Sequence, residues 1–265
     1  MKIFLTIFLL NISFCFGQNY SLNDFEECNI PDMESKEWYD FNHSNKEFVF
    51  TLESGKIKVL KYKEASSVEY NIPNGQLIAI NMGEFGGGLY YRQKDSTKIF
   101  YVNGKNGKDI TPRWFGGLMT NETDPITKVL KDCKLLKSGN VKFIFGIKNS
   151  IYLLEGLSHM GLNSGGLYTI KCSTNNFFIS EALNLEDAPS AMSIYKDCIY
   201  LAGSKGFYII DENLKLKTIF DNLFWYGLYP TSVVVLDKKN VFVTIRGGYV
   251  KINPEEKKIK LYKAK

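Results

Sequence analysis

Three observations predict an all-β fold, a β-propeller of five or six four-stranded blades. They are a recurring glycine–aromatic phrase, a period of about forty residues, and four strand-length segments inside each complete period. The phrase is one or two glycines, an apolar residue, usually a tyrosine, then alternation. It occurs as Gly87-Gly88-Leu89-Tyr90, Gly116-Gly117-Leu118-Met119, Gly165-Gly166-Leu167-Tyr168, Lys205-Gly206-Phe207-Tyr208 and Gly247-Gly248-Tyr249-Val250. Counted from the second glycine position, the spacings are 29, 49, 40 and 42 residues, so a shortened repeat followed by a lengthened one keeps the period. Gly55-Lys56-Ile57-Lys58-Val59 reads as a sixth, degenerate copy.

The last two copies show a full repeat. Ser190 to Tyr195 alternates as a strand, a turn follows at Lys196-Asp197, and Cys198 to Ala202 is a second strand. Glycine turns the chain into a third, Phe207 to Ile210, and a polar Asp211-Glu212-Asn213 turn leads to Leu216 to Phe220. The next copy gives Ser232 to Leu236, Val241 to Ile245, Tyr249 to Ile252 and Lys258 to Tyr262. Short runs rich in Val, Ile, Tyr and Phe, punctuated by Gly, Asn, Asp and Pro, are antiparallel β-structure. A sheet of this kind cannot bury both faces alone; stacking in a ring covers each face and leaves only short edges. The glycine before the third strand fits a tight turn that a side chain would obstruct. Asp124-Pro125 followed by Ile126, Val129, Leu130 and Cys133 has helical spacing, but 126–130 falls where the repeat expects its fourth strand, and we read it as that strand.

On the glycine–aromatic phrase and the period, residues 45–263 resemble the secreted bacterial propellers of the superfamily that includes NHL-, kelch- and sensor-type propellers. The resemblance implies architecture alone. The spaced Tyr and Trp that follow a kelch double glycine are not met, nor is a Trp-Asp dipeptide, so no functional residues carry over.

The N-terminus has Lys2, a short apolar run to Phe16, and small side chains at Cys15 and Gly17 before Gln18. This is the layout of a secretory signal peptide over 1–17, too short to span a bilayer, so the expected location is secreted or periplasmic, in the cell envelope. A segment over 18–44 precedes the propeller domain, 45–265. With 45% hydrophobic and 14% aromatic residues the chain can bury a core. The net charge of +5 is mostly lysine spread along the chain, with no dense basic patch, which argues against nucleic acid. Four cysteines remain after cleavage, Cys28, Cys133, Cys172 and Cys198. An even number in an exported chain permits disulfides. Cys172 and Cys198 fall in neighbouring repeats and are the preferred pair, the alternative being two small core residues.

Catalytic signatures are scarce. The only histidines are His43 and His159, and neither Gly-x-Ser-x-Gly nor His-Glu-x-x-His nor a calcium loop occurs. The sequence calls for no metal and no cofactor. In a propeller, the loops joining second to third strands and blade to blade open onto one face. Here they gather Phe85, Arg113, Trp114, His159, Trp225, Tyr226, Tyr229 and Arg246. Aromatics with arginines suit binding hot spots, sugar rings or peptides; the alternative for any one of them is packing between blades. The expected function is a monomeric, non-catalytic, exported module that binds a protein, peptide or glycan. The alternatives are a glycan-active hydrolase or lyase at the channel mouth, with Glu84 or Asp187 as candidate carboxylates, or a structural part of an envelope complex.

Overall fold

A computed structural model describes residues 20–63, 67–83, 86–95, 99–106, 129–130, 132–173 and 176–265. The expected signal peptide and its cleavage site, Glu84, Phe85, Arg113 and Trp114 lie outside the described residues.

The fold is all-β and its sheets are antiparallel, apart from one short parallel pairing. In chain order the first sheet is the hairpin β2 (Phe48–Glu53) and β3 (Lys56–Lys61). The second holds β4 (Val68–Ile72), β5 (Gly75–Asn81), β6 (Gly87–Gln93) and β9 (Cys133–Ser138). The third holds β10 (Val141–Ile147), β11 (Ser150–His159), β12 (Leu162–Ser173) and β13 (Asn176–Leu185). The fourth is β14 (Pro189–Tyr195), β15 (Cys198–Gly203), β16 (Phe207–Ile210) and β17 (Leu216–Phe220). The fifth is β18 (Ser232–Asp237), β19 (Asn240–Ile245), β20 (Gly248–Asn253) and β21 (Lys258–Ala264), with β1 (Phe25–Cys28) added outside β21. The fourth and fifth sheets follow the predicted strands to within two residues at each end.

Each core lies between consecutive sheets. Leu77, Leu89 and Tyr91 of the second sheet meet Val141, Leu153 and Ile170 of the third. Leu154 and Leu167 of the third meet Ile199, Leu201 and Ile210 of the fourth. Phe207 and Ile219 meet Val233, Val241 and Val243 of the fifth, and Phe48 and Phe50 of the first sheet meet Val234, Phe242 and Tyr249. Central strands such as β15 and β19 are therefore buried on both faces and read as unbroken apolar runs, whereas the edge strand β17 is mostly exposed. Among the described residues no buried cluster joins the first sheet to the second.

The segment 18–44 is built into the fold wherever it is described. Tyr20 bridges Val59, β1 pairs with β21, and Phe25 packs edge-on against Phe48 at 5.0 Å between ring centroids. Helix α1 (Lys36–Asn42) starts on the Ser35 cap, whose hydroxyl accepts from Trp38 N at 3.1 Å. Its inner face, Trp38 and Phe41, joins the core between the fourth and fifth sheets.

Several expectations are corrected. Val129 is helical and Leu130 is in a turn, so the strand reading of 126–130 fails where the chain is described; the fourth strand of that sheet is β9 instead. The excursion between β6 and β9 also sends the hairpin β7 (Tyr101–Val102) and β8 (Lys105–Asn106) to the outer edge of the third sheet. There the Asn103 side chain imitates a strand, accepting from Ile179 N at 2.9 Å and donating to Ile179 O at 3.1 Å. Gly55 sits in the turn joining first to second strand of its hairpin, a different place from the other copies. Gly165 lies inside β12, opposite Gly156, because the supposed loop 156–164 is a continuation of the β11–β12 hairpin. A side chain at Gly165 would meet the Pro189 ring at 2.6 Å, so the residue serves close approach of the next sheet.

The Cys172–Cys198 disulfide is absent: none of the four described cysteines is in a disulfide. Cys172 ends the β12–β13 hairpin opposite Phe177, while Cys198 opens β15 and packs on the core between the fourth and fifth sheets. The alternative of a small core residue holds for Cys198. Burial raises the pKa of Cys28 and Cys133, keeping both as thiols.

Candidate functional site

The first strands of the sheets begin around a common cavity of about 490 Å³. Glu47 reaches it from just before β2, Ser67 and Val68 from the start of β4, Val141 to Phe143 from β10, Ser190 from β14, and Thr231 from just before β18. A second cavity of about 270 Å³ shares Asn81, Lys142, Ser190, Tyr229 and Pro230 with the first, and adds Ser158 and Tyr226. The two cavities adjoin along those shared residues.

The loop 221–231 forms the rim, and α1 holds it. Trp38 Nε1 donates to Phe224 O at 2.7 Å, and Asn42 Nδ2 donates to Gly227 O at 2.9 Å. Gly227 has φ of +81°, a left-handed conformation suited to glycine, and it lets the chain double back between Tyr226 and Tyr229. Arg246 then locks the rim from behind. Its Nε donates to Glu47 at 2.8 Å, its Nη1 to Asn42 O at 3.0 Å, and its guanidinium lies 4.8 Å from the centroid of the Tyr229 ring. Thr231 donates to Phe48 O at 2.6 Å and Ser232 Oγ accepts from Phe50 N at 2.8 Å, stapling β18 to β2.

Lys142 lines both cavities. Burial holds its amine down to about 8, partly offset by the charge of Asp187. Among the described residues its ammonium makes no hydrogen bond or ion pair. Asp187 is the opposite case. Only 3% exposed, it accepts from Asn163 Nδ2 at 2.8 Å, Ser204 N at 3.1 Å, Ser204 Oγ at 2.7 Å, Lys205 N at 3.1 Å and Tyr208 OH at 3.1 Å. Burial and then this carboxylate push the Tyr208 phenol well above its ordinary pKa. Asp187 therefore ties the third sheet to the fourth, and its lone pairs are committed to that joint.

A separate recess of about 310 Å³ holds Glu155, Glu181 and Tyr168. Glu155 is paired with Lys137 at 2.5 Å and Tyr168 faces Glu181 at 3.4 Å, so this carboxylate pair is also engaged. Among the described residues no group of His, Cys, Asp and Glu is placed to hold a metal ion.

Of the residues the sequence put on the binding face, the structure brings together Tyr226, Tyr229 and Arg246. Trp225 is a correction: it is 0% exposed in the core between the fourth and fifth sheets, because the turn that lifts Tyr226 outward drives its neighbour inward. His159 lies at the far end of the β11–β12 hairpin, opposite Leu162, and lines neither cavity. Sequence reading missed Lys142, Ser190, Asn81 and Ser158. A signal for Ser190 was present: it is a polar side chain at the start of its sheet's first strand, as Ser67 and Thr231 are just before theirs, whereas Lys142 reads as the outward residue of an alternating strand.

No family model matches the chain. No curated protein matches it. A solved structure of S. cerevisiae Dbp5 bound to Nup159, Gle1, IP6 and ADP contains a chain similar over 83% of this protein and 72% of its own length, at 9% identity and a TM-score of 0.27. A likeness that small carries no argument about what this chain does. No helix among the described residues is long and apolar enough to cross a membrane.

Proposed function

We propose that this chain is an exported five-bladed β-propeller that works as a binding module, with its ligand seated at the centre of the ring. One observation carries the reading: side chains at the starts of all five sheets' first strands line one cavity. Sheet-to-sheet order supports it as well. β10 packs against β4 and β5, β14 against β11 and β18, and β18 against β2. Ring closure falls between the first and second sheets, where Tyr62 and Lys63 from the end of the first and Ser67 and Val68 from the start of the second line the cavity. The first blade then has two strands, and β1 supplements the last. Export rests on residues 1–17, with their basic, apolar and small-residue order.

Binding is favoured over catalysis because two described carboxylates beside the cavity and its neighbouring recess are committed to other partners, while Glu84, the other carboxylate the sequence offered, lies outside the described residues. Asp187 is buried under five donors, and Glu155 is neutralised by Lys137. The rim supplies exposed Tyr226 and Tyr229, ring platforms held at little entropic cost by α1 and Arg246. The test is a screen of saccharides and peptides against the protein and its Ser190→Trp variant, which plugs the cavity. Ligands held by the first and lost by the second support the reading. Ligands bound equally by both overturn it. Should the plugged variant misfold, Tyr229→Ala takes its place, since that side chain is exposed and folding does not need it.

A further inference from the structure

The cavity lining has a chemistry that narrows the ligand. Among the described residues, three cationic side chains line it, Lys142, Arg246 and Lys63, against one carboxylate, Glu47. Arg246 and Glu47 satisfy each other at 2.8 Å. Among the described residues, what is left without a hydrogen-bond or ion-pair partner is positive: Lys63 and, deeper, Lys142. The remaining lining is neutral and hydrogen-bonding, with Asn81, Ser158 and Ser190. Among the described residues the Ser158 and Ser190 hydroxyls make no side-chain hydrogen bond. At the mouth stand Tyr226 and Tyr229, 41% and 59% exposed.

We infer that the ligand of this cavity is a sugar acid, its carboxylate on the Lys142 ammonium, its hydroxyls on Ser158, Ser190 and Asn81, and its ring against Tyr229. The inference rests on the binding-module reading and names the ligand class of the same site. An ammonium withdrawn from water with no anion in hydrogen-bond reach is destabilised, and a carboxylate arriving there restores what folding removed. The Lys142 amine, held down to about 8, is the group whose charge such a ligand completes. Asp187 acts on it from the start of the fourth sheet and favours the charged form. Tyr62 and Lys63 face the cavity from the chain after β3, Glu47 from before β2, Tyr226 and Tyr229 from the rim, and Arg246 from the end of β19. Lys63 and Arg246 add positive charge to the lining and attract an anionic ligand, while Glu47 is occupied by Arg246. A sugar ring fits the remainder because tyrosine faces and small hydroxyl or amide groups match its apolar face and its hydroxyls.

The probes are methyl β-glucuronide, its neutral counterpart methyl β-glucoside, and inorganic phosphate, titrated by NMR into the intact protein and its Lys142→Met, Lys142→Arg and Ser190→Trp variants. The glucuronide is expected to bind about tenfold more tightly than the glucoside at pH 6.5 and to weaken about tenfold by pH 9.5, as the lysine loses its proton. Lys142→Met removes the preference. Lys142→Arg keeps it and removes the pH dependence, because an arginine stays charged across that range. Equal binding of glucuronide and glucoside, both lost in Ser190→Trp, overturns the sugar-acid inference and leaves the binding module standing. Phosphate binding as tight as the glucuronide overturns the sugar half. Glucuronide binding that survives Ser190→Trp, or no binding by any probe, counts against both.

Discussion

Lys142 and Asp187 stand on neighbouring sheets, near enough for the carboxylate to act on the ammonium, and they are held in opposite ways. Asp187 is wrapped by five donors drawn from β12, from the 204–205 turn and from Tyr208. Lys142 lines the cavity, partly withdrawn from water, with no hydrogen-bond or ion-pair partner among the described residues. Burial alone does not separate a structural charge from a functional one; the number of committed partners does. Where every lone pair is filled, the charge serves the joint between two sheets. Where the charge is withdrawn from water and left unfilled, folding has set aside interaction energy that a ligand can recover.

That contrast makes predictions of opposite sign. Asp187→Asn keeps the shape but presents an amide to donors, and is expected to destabilise the protein by about 3 kcal/mol in urea unfolding. An unchanged midpoint would show the five bonds to be dispensable. Lys142→Met should do the reverse. The folded-state pKa of Lys142 is depressed from 10.5 to about 8, so the unfolded chain binds more protons between those values. The penalty of the buried charge is therefore full below about pH 8 and relieved as pH rises toward 10.5. At pH 7 the variant is expected to be more stable than the parent by on the order of 2 kcal/mol, after allowance for solvent screening, with the gap closing by pH 10.5. Comparing the two proteins across pH isolates this group from the buried tyrosines, whose raised pKa values act the other way. Tyr229→Ala should change stability by no more than about 0.5 kcal/mol while weakening glucuronide binding, because its ring is exposed on a rim fixed by other residues. The smallest effect is a null one: reductant should leave the unfolding midpoint where it is, since none of Cys28, Cys133, Cys172 and Cys198 forms a disulfide.

How much of this was legible in the sequence differs along the chain. The fourth and fifth sheets were readable strand by strand, because their turns carry clear punctuation at Lys196-Asp197, Asp211-Glu212-Asn213 and Asn253-Pro254. Sheets buried on both faces also give continuous apolar runs that survive without alignment. The second sheet was not, because its third and fourth strands are separated by a long excursion; proximity in sequence then pointed to 126–130 rather than β9. The disulfide expectation failed because neighbouring repeats do not place equivalent edges together: Cys172 and Cys198 sit at different ordinal strands of their sheets, third and second. On the site, loop position gathered Tyr226, Tyr229 and Arg246, which line the cavities, but could not tell which side of a turn faces inward, so Trp225 was placed outside when it is core. Lys142 was hidden for a simpler reason. Inside Val141-Lys142-Phe143-Ile144-Phe145 it looks like the solvent-facing residue of an ordinary alternating strand, and only the convergence of the sheets turns that face into a cavity.

The most direct test is the titration of the Lys142 side chain itself in the ligand-free protein, followed by NMR of the lysine Cε–Hε signals and assigned with Lys142→Arg. An apparent pKa of about 8 is the result this account predicts. A value at the ordinary lysine position of 10.5 would mean that water already solvates the ammonium, and would remove the unfilled charge on which the proposed site depends.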